Sequence, residues 1–186
     1  VRFFGAALER GEGSVVVDSL GVSALNFAQL RFTKPETRRA MFAKRDYKLV
    51  IFQIGTNTFA LDTHEEDAKR ILTELRETLP GVSILLMSPP DAMNDWNDPH
   101  SDKRIVTVTK QLREIAKGAG VAFWDYREAM GGDTSIRTFI RKGLAAGDRI
   151  HFKKEGSELM ADRFLCAVEK DFRAWLADHP NAGCAE

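Results

Sequence analysis

The sequence predicts an α/β fold in which helices cover both faces of a mostly parallel sheet. Three observations predict it: short near-continuous apolar runs, amphipathic segments of helical period, and alternation of the two along the chain. The runs are Val15-Val16-Val17, Leu49 to Ile54, Val82 to Met87 and Val121 to Trp124. Strands that are apolar on both sides suit a sheet buried between two helical layers, with right-handed crossovers linking them.

In chain order, Val15–Val17 reads as the first strand of this chain. Ala24 to Lys44 has a helical pattern that Pro35 interrupts. After the second run, Thr63-His64-Glu65-Glu66 has the form of a capping box, Ile71, Leu72, Leu75 and Leu79 recur at helical spacing, and Pro80-Gly81 ends the pattern. A further helix is predicted over Asp102 to Lys117, with Ile105, Val108, Leu112 and Ile115 on one face and Gly118 and Gly120 beyond it. The last helix begins near Glu155 and carries Leu159, Phe164, Leu165, Val168, Phe172 and Trp175. Residues 1–14 read as the end of a preceding or inserted segment, 15–177 as the domain, and 178–186 as a frayed tail.

Composition narrows the function. The 186 residues carry 27 Lys plus Arg against 27 Asp plus Glu, a formal charge of zero. Nucleic-acid binders need a basic excess to neutralise phosphates, so that partner class is disfavoured. No apolar stretch is long enough for a membrane span, and no basic-then-apolar leader opens the chain. Two cysteines make no disulfide framework; Cys166, beside Leu165, reads as a buried small residue, and Cys184 lies in the tail. His64, His100 and His179 lie in polar contexts without metal-ligand spacing and read as surface residues. Arg38-Arg39 and Glu65-Glu66-Asp67 read as solvated helix faces. Trp124 and Trp175 read as core. Trp96 stands in the polar loop Asn94 to Pro99, where it can stack on a sugar ring; that loop lacks the glycine and terminal glutamate of a calcium-binding loop. No metal or cofactor is expected.

Ligands of open α/β sheets bind beyond the carboxyl ends of the strands. There the sequence places Asp18 to Ser23, Gly55-Thr56-Asn57-Thr58, Ser88-Pro89-Pro90, Asp125-Tyr126 followed by Met130-Gly131-Gly132, and Asp148-Arg149-Ile150-His151-Phe152. His151 is a candidate general base, and Asp148, three residues earlier, can hold its Nδ1 proton and leave Nε2 free to accept one. The amide of Asn57, on a sharp turn that Gly55 permits, can donate to a developing oxyanion, and the Gly21 N–H can join it. Each signal has a plain reading as well: a loop histidine with an acidic neighbour, and two ordinary turns.

Together, and in this order, these segments resemble the SGNH, or GDSL-like, hydrolases, a family of esterases and lipases. That family carries a Gly-Asp-Ser with the nucleophile, a glycine and an asparagine of the oxyanion hole, and an Asp-x-x-His. Gly21 resembles the second block, Asn57 the third, and Asp148 with His151 the fourth. The resemblance spans roughly residues 15 to 175 and implies a flavodoxin-like three-layer α/β/α fold. Phe123-Trp124, Ala129 to Gly132, Gly143 to Ala146 and Asp148 to Phe152 look closest to bacterial peptidoglycan O-acetylesterases. That branch implies an acylated carbohydrate or small ester as substrate, an extracytoplasmic setting, and a carbohydrate-binding module that can interrupt the hydrolase domain; Val1 to Leu8 read as the trailing edge of such an insertion.

One block is missing. No Gly-Asp-Ser occurs in the 186 residues. Val17-Asp18-Ser19-Leu20 imitates it, but Val17 replaces the glycine, and no glycine lies between Gly21 and Gly55 to serve as a second block in its place. Ser19 therefore reads as a turn residue near the pocket. The first strand and the nucleophilic serine are expected upstream of Val1. A noncatalytic carbohydrate-binding or scaffold domain of the same fold stays open as an alternative. A phosphate- or nucleotide-binding reading is weaker, because no strand is followed by a Gly-x-Gly-x-x-Gly or Walker pattern.

Overall fold

The computed structural model describes residues 15–45 and 47–179. Two short helices, α1 (Phe27–Phe32) and α2 (Pro35–Phe42), precede β1 (Leu49–Gln53), α3 (His64–Thr78), β2 (Ser83–Met87), α4 (Lys103–Ala119) and β3 (Ala122–Trp124). Then follow α5 (Tyr126–Met130), α6 (Ser135–Arg141) and α7 (Lys154–Asp178). The three strands pair in parallel in the order β1-β2-β3, with Leu49 opposite Ser83 and Leu85 opposite Ala122. The expected α/β sheet with helices on both faces is present.

Period-two alternation along β2 divides the core. Ile84 and Leu86 point to a cluster with Phe27 of α1, Ile71, Leu72 and Leu75 of α3, and Val108, Leu112 and Ile115 of α4. Leu85 and Met87 point the other way, to Tyr126, Met130, Ile136, Phe139, Ala145 and Met160. β1 follows the same alternation but is covered on one face alone. Val50 and Phe52 pack on the first cluster, whereas Leu49 and Ile51 are 51 % and 42 % exposed.

The long helices match their sequence signals. α4 begins at the Asp102 cap, whose carboxylate accepts from the Arg104 N–H at 2.8 Å, and ends on Gly120 at φ 59°, a conformation glycine tolerates without a Cβ penalty. α3 lacks the expected capping box. Thr63 already has helical dihedrals and makes no side-chain cap bond, and its hydroxyl lies 3.3 Å from the Asp67 carboxylate.

Several expectations are corrected. Val15–Val17 is exposed and pairs with no strand among the described residues; three valines alone do not make a ladder. Arg38 and Asp67 are buried, because α1 and α2 lie on α3. Arg38 donates to the Glu74 carboxylate and to the carbonyls of Leu30 and Thr33, and Arg31 pairs with Asp67 at 3.1 Å. Cys166 is exposed, and Trp175, 45 % exposed, stacks on Phe172 and His179 rather than entering the core. α7 meets the second cluster through Leu159, Met160 and Phe164, and Leu165, Val168 and Phe172 face outward. Residues 1–14, Cys184 and the tail beyond His179 lie outside the described residues. No helix among the described residues is long and apolar enough to cross a membrane.

His64 is buried rather than on the surface. Its ring packs on Phe27, and its Nδ1 sits 3.0 Å from Gln111 Oε1 of α4. Burial lowers its pKa, against the smaller opposing effects of Gln111 and Asp67. The unfolded chain, with histidine near about 6.5, then binds the proton more readily than the folded one. Stability is therefore retained above about pH 6.5 and falls as the pH drops below it. Urea unfolding should show a lower midpoint at about pH 5.5 than at about pH 7.5, a difference that His64→Gln reduces. Equal differences in both proteins would show that His64 is not the proton-linked group.

Candidate active site

Asp148 and His151 occupy a hairpin between α6 and α7. Ala145 bridges Phe152 in antiparallel fashion, Ala146 N–H donates to the His151 carbonyl at 2.8 Å, and Lys153 N–H donates to the Leu144 carbonyl at 2.9 Å. Within the loop, Asp148 Oδ1 accepts from the N–H groups of Ile150 and His151, each at 3.0 Å, and Oδ2 lies 2.8 Å from His151 Nδ1. The His151 backbone N–H, its ring and the Ile150 N–H together lower the Asp148 pKa to about 2. A carboxylate ionised at neutral pH thus faces Nδ1, and with Nδ1 protonated the exposed Nε2 can accept a proton.

The loop is fixed from below and from the side. Phe152 stacks between Tyr126 and Phe139, with ring centroids 5.9 and 5.3 Å away. Burial pushes the Tyr126 pKa up to about 12, against a smaller lowering effect of the Gln53 side chain at the end of β1. Gly156, in the first turn of α7, lies so close to the hairpin that a Cβ there would stand 2.1 Å from the Leu144 carbonyl oxygen. Arg149, at φ 67°, donates to the carbonyls of Met93 and Asn94 at 3.3 and 2.9 Å, and its own carbonyl accepts from Met93 N–H at 3.3 Å. The hairpin is thereby joined to the loop after β2.

Asn57 stands in the turn after β1, where Thr58 N–H donates to the Gly55 carbonyl at 3.0 Å. Gly55, at φ 146°, is required there: a Cβ would meet Pro89 at 2.8 Å and Val108 at 2.9 Å. Arg104 of α4 holds the turn through the carbonyls of Thr56 and Thr58 while its guanidinium covers Phe59. Asn26 donates to the Asn57 carbonyl at 2.8 Å and with its Oδ1 caps α1. Among the described residues the Asn57 side-chain amide has no hydrogen-bond partner, which leaves it available to a ligand. Gly21 is exposed, five residues before Asn26, and no hydrogen bond joins it to Asn57 or His151. The remaining edge residues serve the scaffold. Ser88 is buried and donates to Asp125, which caps α5, and Asp91 holds Arg127.

A family model described as GDSL-like Lipase/Acylhydrolase matches residues 1–159. The chain belongs to the GDSL-like lipase/acylhydrolase family. No curated protein matches it. Among solved structures, a peptidoglycan O-acetylesterase superposes with a TM-score of 0.70 at 25 % identity, over 74 % of this chain and 41 % of that one. An acetylxylan esterase from Geobacillus stearothermophilus gives 0.54 at 21 % identity, over 77 % and 67 %. A further acetyl xylan esterase gives 0.59 at 17 % identity, over 80 % and 78 %. The chain therefore spans less than half the length of the first of these proteins.

Sequence reasoning named Asp148, His151, Asn57 and Gly21 for this GDSL-like chain but missed Asn26 and Arg104, which hold the Asn57 turn, and the parts that Arg149 and Phe152 play in holding the His151 hairpin. Phe152 alone carried a local signal, an aromatic residue directly after the histidine. Among the described residues no three metal-binding side chains converge.

Two outcomes test this construction. Gly156→Ala forces the Leu144 carbonyl aside and should cost about 1–3 kcal/mol in thermal unfolding; an unchanged melting temperature would mean that α7 does not press on the hairpin. A carbon-detected carboxyl titration should find Asp148 ionised well below the ordinary aspartate range. In His151→Ala the midpoint should rise partway, since the backbone donors remain.

Proposed function

We propose that this chain contributes the base, its orienting carboxylate and the oxyanion donors of a serine esterase that removes acetyl or other short acyl groups from a carbohydrate or small ester. The observation that carries the reading is the 2.8 Å contact of His151 Nδ1 with a carboxylate held ionised by two backbone N–H groups. Membership of a GDSL-like acylhydrolase family supports it, as does the likeness to a peptidoglycan O-acetylesterase and to acetylxylan esterases.

In this reading a serine Oγ attacks the ester carbonyl as His151 Nε2 takes its proton. Asp148 stabilises the resulting imidazolium through Nδ1–H, and the Asn57 amide with the Gly21 N–H holds the oxyanion. Collapse of the tetrahedral species expels the sugar alcohol, which takes the proton back from His151. Water, deprotonated by the same histidine, then attacks the acyl-enzyme, and collapse releases the acid as His151 returns the proton to the serine Oγ.

In this reading the serine belongs to a Gly-Asp-Ser block upstream of Val1, since that block does not occur in the 186 residues. Ser88, Ser101 and Ser157 are engaged elsewhere, and Ser19 lies beside Gly21 with no bond to His151. A strand beside β1 would bring such a residue to the carboxyl end of the sheet, because β1 has no second neighbour among the described residues. By family resemblance the whole protein works outside the cytoplasm. The noncatalytic alternative draws on one observation, the lack of any Gly-Asp-Ser in these 186 residues.

Hydrolysis of 4-nitrophenyl acetate by the protein extended upstream of Val1 separates the two. Asn57→Ala should lower kcat by about 100–1,000-fold, roughly 3 kcal/mol of transition-state stabilisation, with folding intact. Wild-type turnover in folded Asn57→Ala removes Asn57 from the site. Turnover by the 186-residue chain that Ser19→Ala abolishes would assign the nucleophile to Ser19.

A further inference from the structure

The loop between β2 and α4 presents an aromatic ring to solvent on a rigid mount. Trp96 is 40 % exposed, although the polar stretch around it has no apolar partner to offer. Its backbone is fixed from α6: Arg137 Nη2 donates to the Trp96 carbonyl at 2.7 Å and also to that of Asp98, while the guanidinium carbon sits 5.9 Å from the indole centroid. Two turns closed by aspartates stiffen the flanks, with Asn97 N–H on Asp95 Oδ1 at 2.8 Å and His100 N–H on Asp98 Oδ1 at 3.0 Å. On the inner side, Arg149 holds Asn94 and Met93.

We propose that Trp96 is a stacking platform for a pyranose ring of a β-linked oligosaccharide whose acylated sugar reaches His151. The proposal rests on the esterase reading and specifies its substrate class. A pyranose with equatorial substituents presents a flat face of C–H groups that pairs with an indole, and its hydroxyls need polar partners at the rim. Asn94, Asp95 and Asn97, the sequence neighbours of Trp96, are exposed and can supply them. The carboxylates of Asp95 and Asp98 and the Arg137 guanidinium give the surroundings of the indole mixed charge, which suits an uncharged polyol. Holding the loop in place beforehand spares the ordering cost of binding. The reach is adequate. Met93 and Arg149 are in backbone contact, Trp96 is three residues from one and His151 two from the other, so at about 3.8 Å per residue their Cα atoms are at most about 25 Å apart.

Two sources share this chemistry, an N-acetylhexosamine chain and a xylose chain, so calorimetric titration of the 186-residue chain uses chitotetraose in one arm and xylotetraose in the other. Saturable binding of at least one is expected, weakened at least about tenfold by Trp96→Ala and largely kept by Trp96→Tyr. The arm that binds identifies the source. Absence of binding in both arms, or equal affinity in a folded Trp96→Ala variant, overturns the platform. Ester hydrolysis is read separately on the protein extended upstream. Trp96-dependent sugar binding without any hydrolysis supports the platform and removes the esterase reading; hydrolysis without Trp96-dependent binding does the reverse.

Discussion

The edge of the sheet depends on arginine side chains that bind backbone carbonyls. Loops at the carboxyl ends of strands leave carbonyl groups without ladder partners, and each needs a donor. Arginine carries five N–H groups on a planar fork and can serve two carbonyls at once. Arg104 does this for the turn that bears Asn57, Arg137 for the loop that bears Trp96, and Arg149 for the junction between that loop and the His151 hairpin. Removal of one fork would leave two carbonyls to water and release one loop from its neighbour.

This construction separates the chemistry from the framework. Asp148 and His151 find each other within a four-residue loop, so their mutual geometry needs no tertiary contact. Where that pair stands relative to Asn57 is a different matter, set by Gly55 against Pro89 and Val108 and by Gly156 against Leu144. Both glycines bring backbone to within a distance that any side chain would forbid. The pair is local; its placement is global.

That division explains what the sequence made legible. Long helices with an unbroken apolar period, α3 and α4, stand where the pattern of Ile71, Leu72 and Leu75 and of Ile105, Val108 and Leu112 puts them. The Asp-x-x-His motif was readable because its contacts span three residues. α5 and α6, with five and seven residues, are too short for a period to emerge. The arginine forks join residues 39 to 56 positions apart, and nothing near Arg104, Arg137 or Arg149 in the chain announces the partner. Arg38 and Asp67 misled for the same reason, since a charged residue on a helix looks solvated until another helix lies over it.

The outward stripe of α7 has a practical consequence. Leu165, Val168, Phe172 and Trp175 lie exposed on one long helix, while β1 has no second strand neighbour among the described residues and leaves Leu49 and Ile51 bare on the same side of the sheet as Leu85. An apolar ridge and an unsatisfied strand edge are together what drives intermolecular sticking. Surfaces of this kind favour self-association as the protein concentration rises. Lysine or glutamate at Val168 and Phe172 is the direct remedy, because those positions contribute nothing to either core cluster.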